Sequence, residues 1–344
     1  MKLPVEITSE EELENVLADP WPEDVEAMRR MDGDLLIIGA GGKMGPSLAR
    51  RARRAAQQAG TPHRIIGVSR FSTPGLARAL EGEGIEIIHA DLLQPRALDI
   101  LPDAPNVIFM AARKFGTLGQ EGLTWAMNSY LPARIAERFA NSRIVSFSSG
   151  NVYPLSPVAG GGSTENDPMS PVGEYAQSAL ARERMFQYFS STNGTLVTIL
   201  RLNYAVELRY GILLEVGTKV FKDQAIDVTM GVVNVIWQGE ANSVCLRSLE
   251  SAQSPPTVLN LTGPESVSVR WLAGEFGRRF GKHPVITGTE ASTALLNNAA
   301  RCYGNFGYPR VTLTQMIDWV AGWIAAGGKT HGKPTHFEQR EGKF

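Results

Sequence analysis

Apolar residues enter this chain first as short, unbroken runs: Leu35-Leu36-Ile37-Ile38, Ile65-Ile66-Gly67-Val68, Ile85-Glu86-Ile87-Ile88, Asn106-Val107-Ile108-Phe109-Met110, Arg143-Ile144-Val145-Ser146-Phe147 and Leu196-Val197-Thr198-Ile199-Leu200. Runs this short, with little polar alternation, suit strands buried on both faces. Stretches of helical pattern lie between them, over about 44–59, 75–81, 123–140 and 173–191. Strands alternating with helices predict βαβ units and an α/β fold with a doubly wound parallel sheet. Right-handed crossovers then place helices on both faces. After Arg201 the alternation weakens. Val232–Ile236 and Thr257–Leu261 read as short strands, Val269–Phe280 and Thr312–Ala326 as helices, and together they predict a smaller mixed α/β C-terminal substrate lobe. The expected divisions are an added arm (1–32), the sheet domain (33–202), the lobe (203–326) and a loose Gly/Lys/His/Thr-rich tail (327–344).

Composition narrows the partners. Of 344 residues, 43% are hydrophobic and 20% charged, enough for a sizeable core and against wholesale disorder. A formal net charge of −1 offers no field for nucleic acid or an anionic membrane. The local run Arg50, Arg51, Arg53, Arg54 reads as a solvated helix face. Two cysteines, Cys245 and Cys302, make neither a disulfide framework nor a metal site. The acidic start lacks an apolar stretch, so a cytoplasmic location is expected. In the arm, Ser9-Glu10-Glu11-Glu12 is a capping-box pattern and Pro22 a second helix start.

The first apolar run ends at Gly39-Ala40-Gly41-Gly42-Lys43-Met44-Gly45, which opens an Ala/Arg-rich helix. Glycines at 39, 42 and 45 allow a tight turn and close backbone approach to a pyrophosphate. The helix start then presents free N–H groups and the positive dipole end to phosphates. Met44 after Lys43, in place of Ser or Thr, excludes a triphosphate P-loop. A dinucleotide is the expected ligand, with Gly39, Gly42, Lys43, Met44 and Gly45 around its phosphates. At the end of the second strand, an acid would accept from the ribose 2′-hydroxyl of NAD. The run there is Val68-Ser69-Arg70. Ser69 and Arg70 suit a 2′-phosphate, so the cofactor is NAD or NADP, with the balance toward NADP.

Later segments carry a resemblance. Ala90-Asp91-Leu92-Leu93 follows the third strand and Met110-Ala111-Ala112 the fourth; Asn128 lies in the next helix. Then come Ser148-Ser149-Gly150-Asn151-Val152-Tyr153, the ordered set Thr164-Glu165, Pro168, Pro171, Tyr175 and Ser178, and Asn260-Leu261-Thr262-Gly263. In this order and spacing the chain, over roughly residues 34–326, resembles the extended short-chain dehydrogenase/reductases, the NAD-dependent epimerase/dehydratase family. The resemblance implies a Rossmann domain, an adenine contact at Asp91 and Leu92, and cofactor contacts at Ala111, Ala112, Asn128 and Tyr175. It places Ser149 and Tyr175 in the positions of the catalytic serine and tyrosine, and it implies a homodimer.

One departure stands out. The family's Tyr-x-x-x-Lys reads Tyr175-Ala176-Gln177-Ser178-Ala179 here. In the family that lysine holds the nicotinamide ribose and eases ionisation of the tyrosine. A free tyrosine titrates near ~10, so ionising it at neutral pH costs roughly 4 kcal/mol. Arg182, seven residues on and two turns along the same face, is one substitute. The alternative for Arg182 is a surface salt bridge with Glu183 or another nearby acid. Glu174 is either an acid/base group beside Tyr175 or a solvated first-turn glutamate.

Asn203 and Arg209 follow the sixth strand at the sheet's carboxyl edge, where ligands of such folds bind, and are candidate substrate contacts with Arg201 and Tyr210. Trp237, in Trp237-Gln238-Gly239-Glu240, either meets substrate or starts a helix. The five histidines lack metal-ligand spacing. The resulting expectation is an NAD(P)-dependent sugar epimerase/dehydratase-type oxidoreductase, with Tyr175 taking the hydroxyl proton and Ser149 orienting the oxygen. The rival is a non-catalytic dinucleotide-binding sensor or scaffold with a degraded site. The expected partner is a small sugar or sugar derivative.

Overall fold

The computed structural model describes residues 3–342. Two arm helices come first, α1 (Glu10–Ala18) and α2 (Pro22–Arg30). Then follow β1 (Leu35–Ile38), α3 (Gly45–Ala59), β2 (Ile65–Ser69), α4 (Leu76–Gly82), β3 (Glu86–His89) and β4 (Asn106–Phe109). The next elements are α5 (Glu121–Trp125), a π-helical turn (Ala126–Tyr130), α6 (Leu131–Arg138), β5 (Arg143–Ser149), α7 (Gly173–Asn193) and β6 (Leu196–Leu202). The C-terminal part adds α8 (Ile212–Phe221), α9 (Gln238–Arg247), β7 (Thr257–Leu261), α10 (Val269–Phe280), α11 (Ala300–Phe306) and α12 (Leu313–Ala325).

All seven labelled strands form one parallel sheet in the order β7-β6-β5-β4-β1-β2-β3. The order in which strands are added reverses between β1 and β4, and a crevice opens there at the carboxyl ends. The apolar runs of β1 feed two cores because successive side chains face opposite ways. Leu35 and Ile37 pack with residues of α3 and α9 on one face; Leu36 and Ile38 pack with residues of α6 and α7 on the other. Thr257–Leu261, expected in the smaller lobe, is the outermost strand of the main sheet, paired with β6 from Thr198 to Leu202.

The helix expected over 123–140 is split by the π turn, where the Leu131 N–H reaches back to Ala126 O. Pro132 supplies the reason: its ring conflicts with the carbonyl four residues earlier, at Asn128. The basic run of α3 is a grip for the arm, in place of the solvated face expected. Arg50 pairs with Glu14 at 2.8 Å, Arg54 with Asp19 at 2.8 Å, and the fully buried Arg51 with the fully buried Asp24 at 2.5 Å. The arm also carries Leu13 and Leu17 into the lobe's core, which α8, α10 and α12 build. The tail, expected loose, is docked: Phe337 is buried in that core, Thr335 Oγ1 donates to Glu215 at 2.6 Å, and Arg340 donates to the Thr293 carbonyl at 2.8 Å. Among the described residues no helix is long and apolar enough to cross a membrane.

Candidate active site

One large cleft, about 960 Å³, lies over the carboxyl ends of β1 and β4. Its first wall is the glycine turn. Gly39 has φ +99°, and a Cβ there would stand 2.7 Å from the Ala111 nitrogen. Only glycine lets the β1 and β4 termini approach this closely. Gly42 faces the cleft, while Gly45 lies outside the lining, tucked under Ala40, where a side chain would collide with the Ala40 carbonyl. Gly45 therefore seats α3 against the end of β1. Met44, Ser69, Arg70, Asp91, Leu92, Ala111 and Ala112 all line the cleft beside the turn. No carboxylate terminates β2, and Arg70 is exposed at the edge.

The second wall comes from β5, α7 and the segment after β6. Ser149 ends β5 and caps a short turn; its Oγ accepts from the Asn151 N–H at 3.2 Å and donates to Asn151 Oδ1 at 2.9 Å. Tyr175 stands in the first turn of α7, 8% exposed, and shares the cleft with Ser149. Its ring centroid lies 5.7 Å from the Lys114 ammonium. Desolvation pushes Lys114 down to about 8.

Asn128, expected at the cofactor, lies behind this wall. Its amide accepts from the Arg113 N–H and donates to the Arg113 carbonyl, both at 2.9 Å, so it pins the loop that carries Lys114. It also donates to Ser178 Oγ at 3.0 Å and accepts from Arg182 at 2.8 Å. Arg182 is 2% exposed, not the surface residue weighed above. Glu183 pairs with Arg201 at 2.7 Å and accepts from Ser148 at 2.5 Å. Glu174 accepts from Trp125 Nε1 at 2.6 Å at the surface, away from the tyrosine. Trp237 is 1% exposed and packs on Trp319, ring centroids 5.1 Å apart; it is part of the lobe's core and stands outside the cleft lining, against the substrate contact expected. The apolar bulk of its indole is what buries it. Tyr153, held by Arg201 at 2.5 Å and Asn260 at 2.9 Å, is likewise structural.

Asn203 and Arg209 do line the cleft. Asn203 donates to Asn234 Oδ1 at 3.0 Å, and Arg209 pairs with Glu207 at 3.1 Å and Glu14 at 2.7 Å. Lys43 leaves the glycine turn and crosses the cleft. Its ammonium lies 3.2 Å from the Ala205 carbonyl and 3.8 Å from the Tyr210 ring centroid. It is exposed to the open cleft yet has protein on all sides, and desolvation by that surrounding protein, opposed by Glu207 and assisted by Lys114 and Arg209, lowers it to about 7. Burial alone would raise Glu207, but His331, Arg209 and Lys43 hold its carboxyl below the usual range. His331 comes from the tail, with Nε2 3.3 Å from Glu207 Oε1.

Lys114, Glu207 and His331 were not legible as site residues. Lys114 had a signal, since it lies just past Ala111-Ala112 at a strand's carboxyl edge. His331 had none, because only tail docking brings it there.

A glycine turn between β1 and α3, at the switch point of a parallel sheet, defines a dinucleotide-binding α/β protein. Residues 35–206 match the model of the NAD dependent epimerase/dehydratase family, and the chain belongs to that family. Among curated proteins none matches. Among solved structures, the chain is similar to UDP-glucuronic acid 4-epimerase from Bacillus cereus in complex with NAD, at 17% identity and TM-score 0.72, covering 86% of this chain and 100% of that one. It is similar to dTDP-glucose 4,6-dehydratase from Bacillus anthracis in complex with NAD, at 14% identity and TM-score 0.71, covering 86% and 97%. It is similar also to MoeE5 in complex with UDP-glucose and NAD, at 18% identity and TM-score 0.68, covering 86% and 99%. At these identities the likeness speaks for the fold.

Proposed function

We propose that this chain is an NAD(P)-dependent enzyme of the sugar epimerase/dehydratase type, working at a carbinol carbon of a sugar or sugar derivative. The observation that carries the reading is that Ser149, Tyr175 and the glycine turn line one cleft. The residues fit a dinucleotide: the Gly39 turn has no room for a Cβ, and the backbone at the start of α3 lies open to the cleft. When bound, the nicotinamide supplies a hydride acceptor. Tyr175 accepts the hydroxyl proton as the carbinol becomes a ketone. Ser149 hydrogen-bonds the reacting oxygen and fixes its orientation. Asn203 and Arg209 lie where the rest of a substrate would rest. Arg70, with no acid beside it, supports NADP over NAD.

The test starts with calorimetry against NAD+ and NADP+. It continues with turnover on UDP-glucose, UDP-glucuronic acid, dTDP-glucose and free sugars, read by nicotinamide absorbance and product NMR. Epimerisation leaves no net reduced cofactor, so the NMR arm is required. Failure to bind either dinucleotide sinks the reading. The fully buried Ala179, where the family has lysine, favours the non-catalytic reading. Dinucleotide binding without turnover of any substrate would establish that alternative.

A further inference from the structure

Arg182 is the charged side chain of this site whose burial the chemistry above leaves unexplained. Burying a guanidinium is costly unless its charge is used. Among the described residues no carboxylate pairs with this one; Glu183, its neighbour in sequence, turns to Arg201 and Ser148. Its terminal nitrogens donate to two neutral oxygens, the Phe147 carbonyl at 2.7 Å and Asn128 Oδ1 at 2.8 Å. Its Nε is buried with no hydrogen-bond partner, and the residue forms part of the cleft lining. Burial lowers its pKa, and the groups opposing that are Tyr175 first and Glu183 second. Arg182 and Tyr175 share one face of α7, and the residue between them, Ala179, is fully buried and carries only a methyl group.

We propose that Arg182 is the positioning cation of this site, supplying from seven residues beyond Tyr175 the positive charge that holds the tyrosine as phenolate. This rests on the reading of Tyr175 given above. Arginine brings what the place demands. Its fork is held by two oxygens that carry no charge, so the full positive charge remains for the phenol. It stays protonated at every working pH, so the charge is permanent. No proton passes through it; the proton leaving the substrate hydroxyl stays on the Tyr175 oxygen. Groups facing the phenol include Lys114 from the loop after β4 and Tyr210 from the loop after β6. Desolvation lowers Lys114 to about 8, so its charge is lost above that pH while that of Arg182 persists.

The experiment needs no substrate. Phenolate absorbance of the full chain loaded with NAD+ (or NADP+, whichever binds) is titrated in parallel with Tyr175→Phe, and the difference isolates one phenol. Arg182→Gln is expected to raise the midpoint by about 1–2 pH units. Adding Ala179→Lys to Arg182→Gln is expected to return it to within about half a unit of wild type. An Arg182→Gln chain that binds dinucleotide normally and keeps the wild-type midpoint overturns the proposal. Where Arg182→Gln alone does not fold, the double variant decides. A midpoint near wild type supports the exchange of one cation for another; a rise of about one unit or more overturns it. Loss of dinucleotide binding in the wild-type chain would sink the functional reading itself, a result distinct from either.

Discussion

The two walls of the cleft are built by different means. The dinucleotide wall is backbone: Gly39, Gly42 and the start of α3 are contiguous in sequence, and they act through what they lack, a Cβ. The opposite wall is charge. It gathers Lys114 from beyond β4, Tyr175 and Arg182 from α7, Arg209 from beyond β6 and His331 from the tail, with the buried Glu207 behind it pairing Arg209 and His331. Bare backbone tolerates no added atom but needs no partners. Buried charges tolerate small changes of shape but fail when a partner is lost. The same cleft therefore has one wall sensitive to volume and one sensitive to electrostatics.

The largest expected effect tests the charged wall directly. Tyr175→Phe should cut turnover by about 10²–10⁴-fold, with dinucleotide affinity unchanged by calorimetry; equal turnover would remove Tyr175 from the chemistry. Glu183→Gln, which leaves Arg201 buried without its carboxylate, should cost about 3–5 kcal/mol in urea unfolding. A loss below about 1 kcal/mol would show that water reaches the pair. The backbone wall is tested by Gly39→Val. Positive φ and the close Ala111 nitrogen should lower dinucleotide affinity by about a hundredfold, from strain of about 1–3 kcal/mol plus the clash. Unaltered affinity would break the contrast between the walls. Arg70→Ser should reduce the preference for NADP over NAD by about tenfold, one charge-assisted contact; an unchanged ratio removes Arg70 from cofactor choice.

The smallest effect concerns Lys43. Its folded pKa, about 7, lies below the unfolded value. Between those values the unfolded chain binds the extra proton, so stability rises with pH from about 7 until the unfolded lysine itself deprotonates. Below about 7 the folded lysine is protonated too, and the full cost of holding a desolvated charge is felt. Lys43→Met should flatten that rise, by less than about 1 kcal/mol because cleft water screens the charge. Urea midpoints of both proteins across this range measure it; parallel profiles would mean that Lys43 is solvated.

The glycine turn, its strand and its helix were legible because they are local: the pattern and the chemistry occupy neighbouring residues. Ser149, Tyr175, Asp91 and Ala111 were legible through ordered motifs, and each lines the cleft. Asn128 and Gly45 carried the same kind of signal yet sit behind the lining, since a motif records position along the chain and not depth. Trp237 failed because a tryptophan at an element boundary reads equally as contact or core, and Trp319, 82 residues on, decided for core. The arm's role was hidden because acids in 10–24 and arginines in 50–54 look like two solvated faces until they meet.

By itself, the order of apolar runs and glycines determined a parallel sheet with a phosphate-ready turn, because strand burial and positive φ are demands met within a few residues. Tertiary structure alone decided which charges gather at and behind the cleft's second wall. Lys114, Arg182, Glu207 and His331 come from four separate segments, and Coulomb interactions depend on distance through space and on the surrounding dielectric. Neither quantity is written in the spacing of residues along a chain.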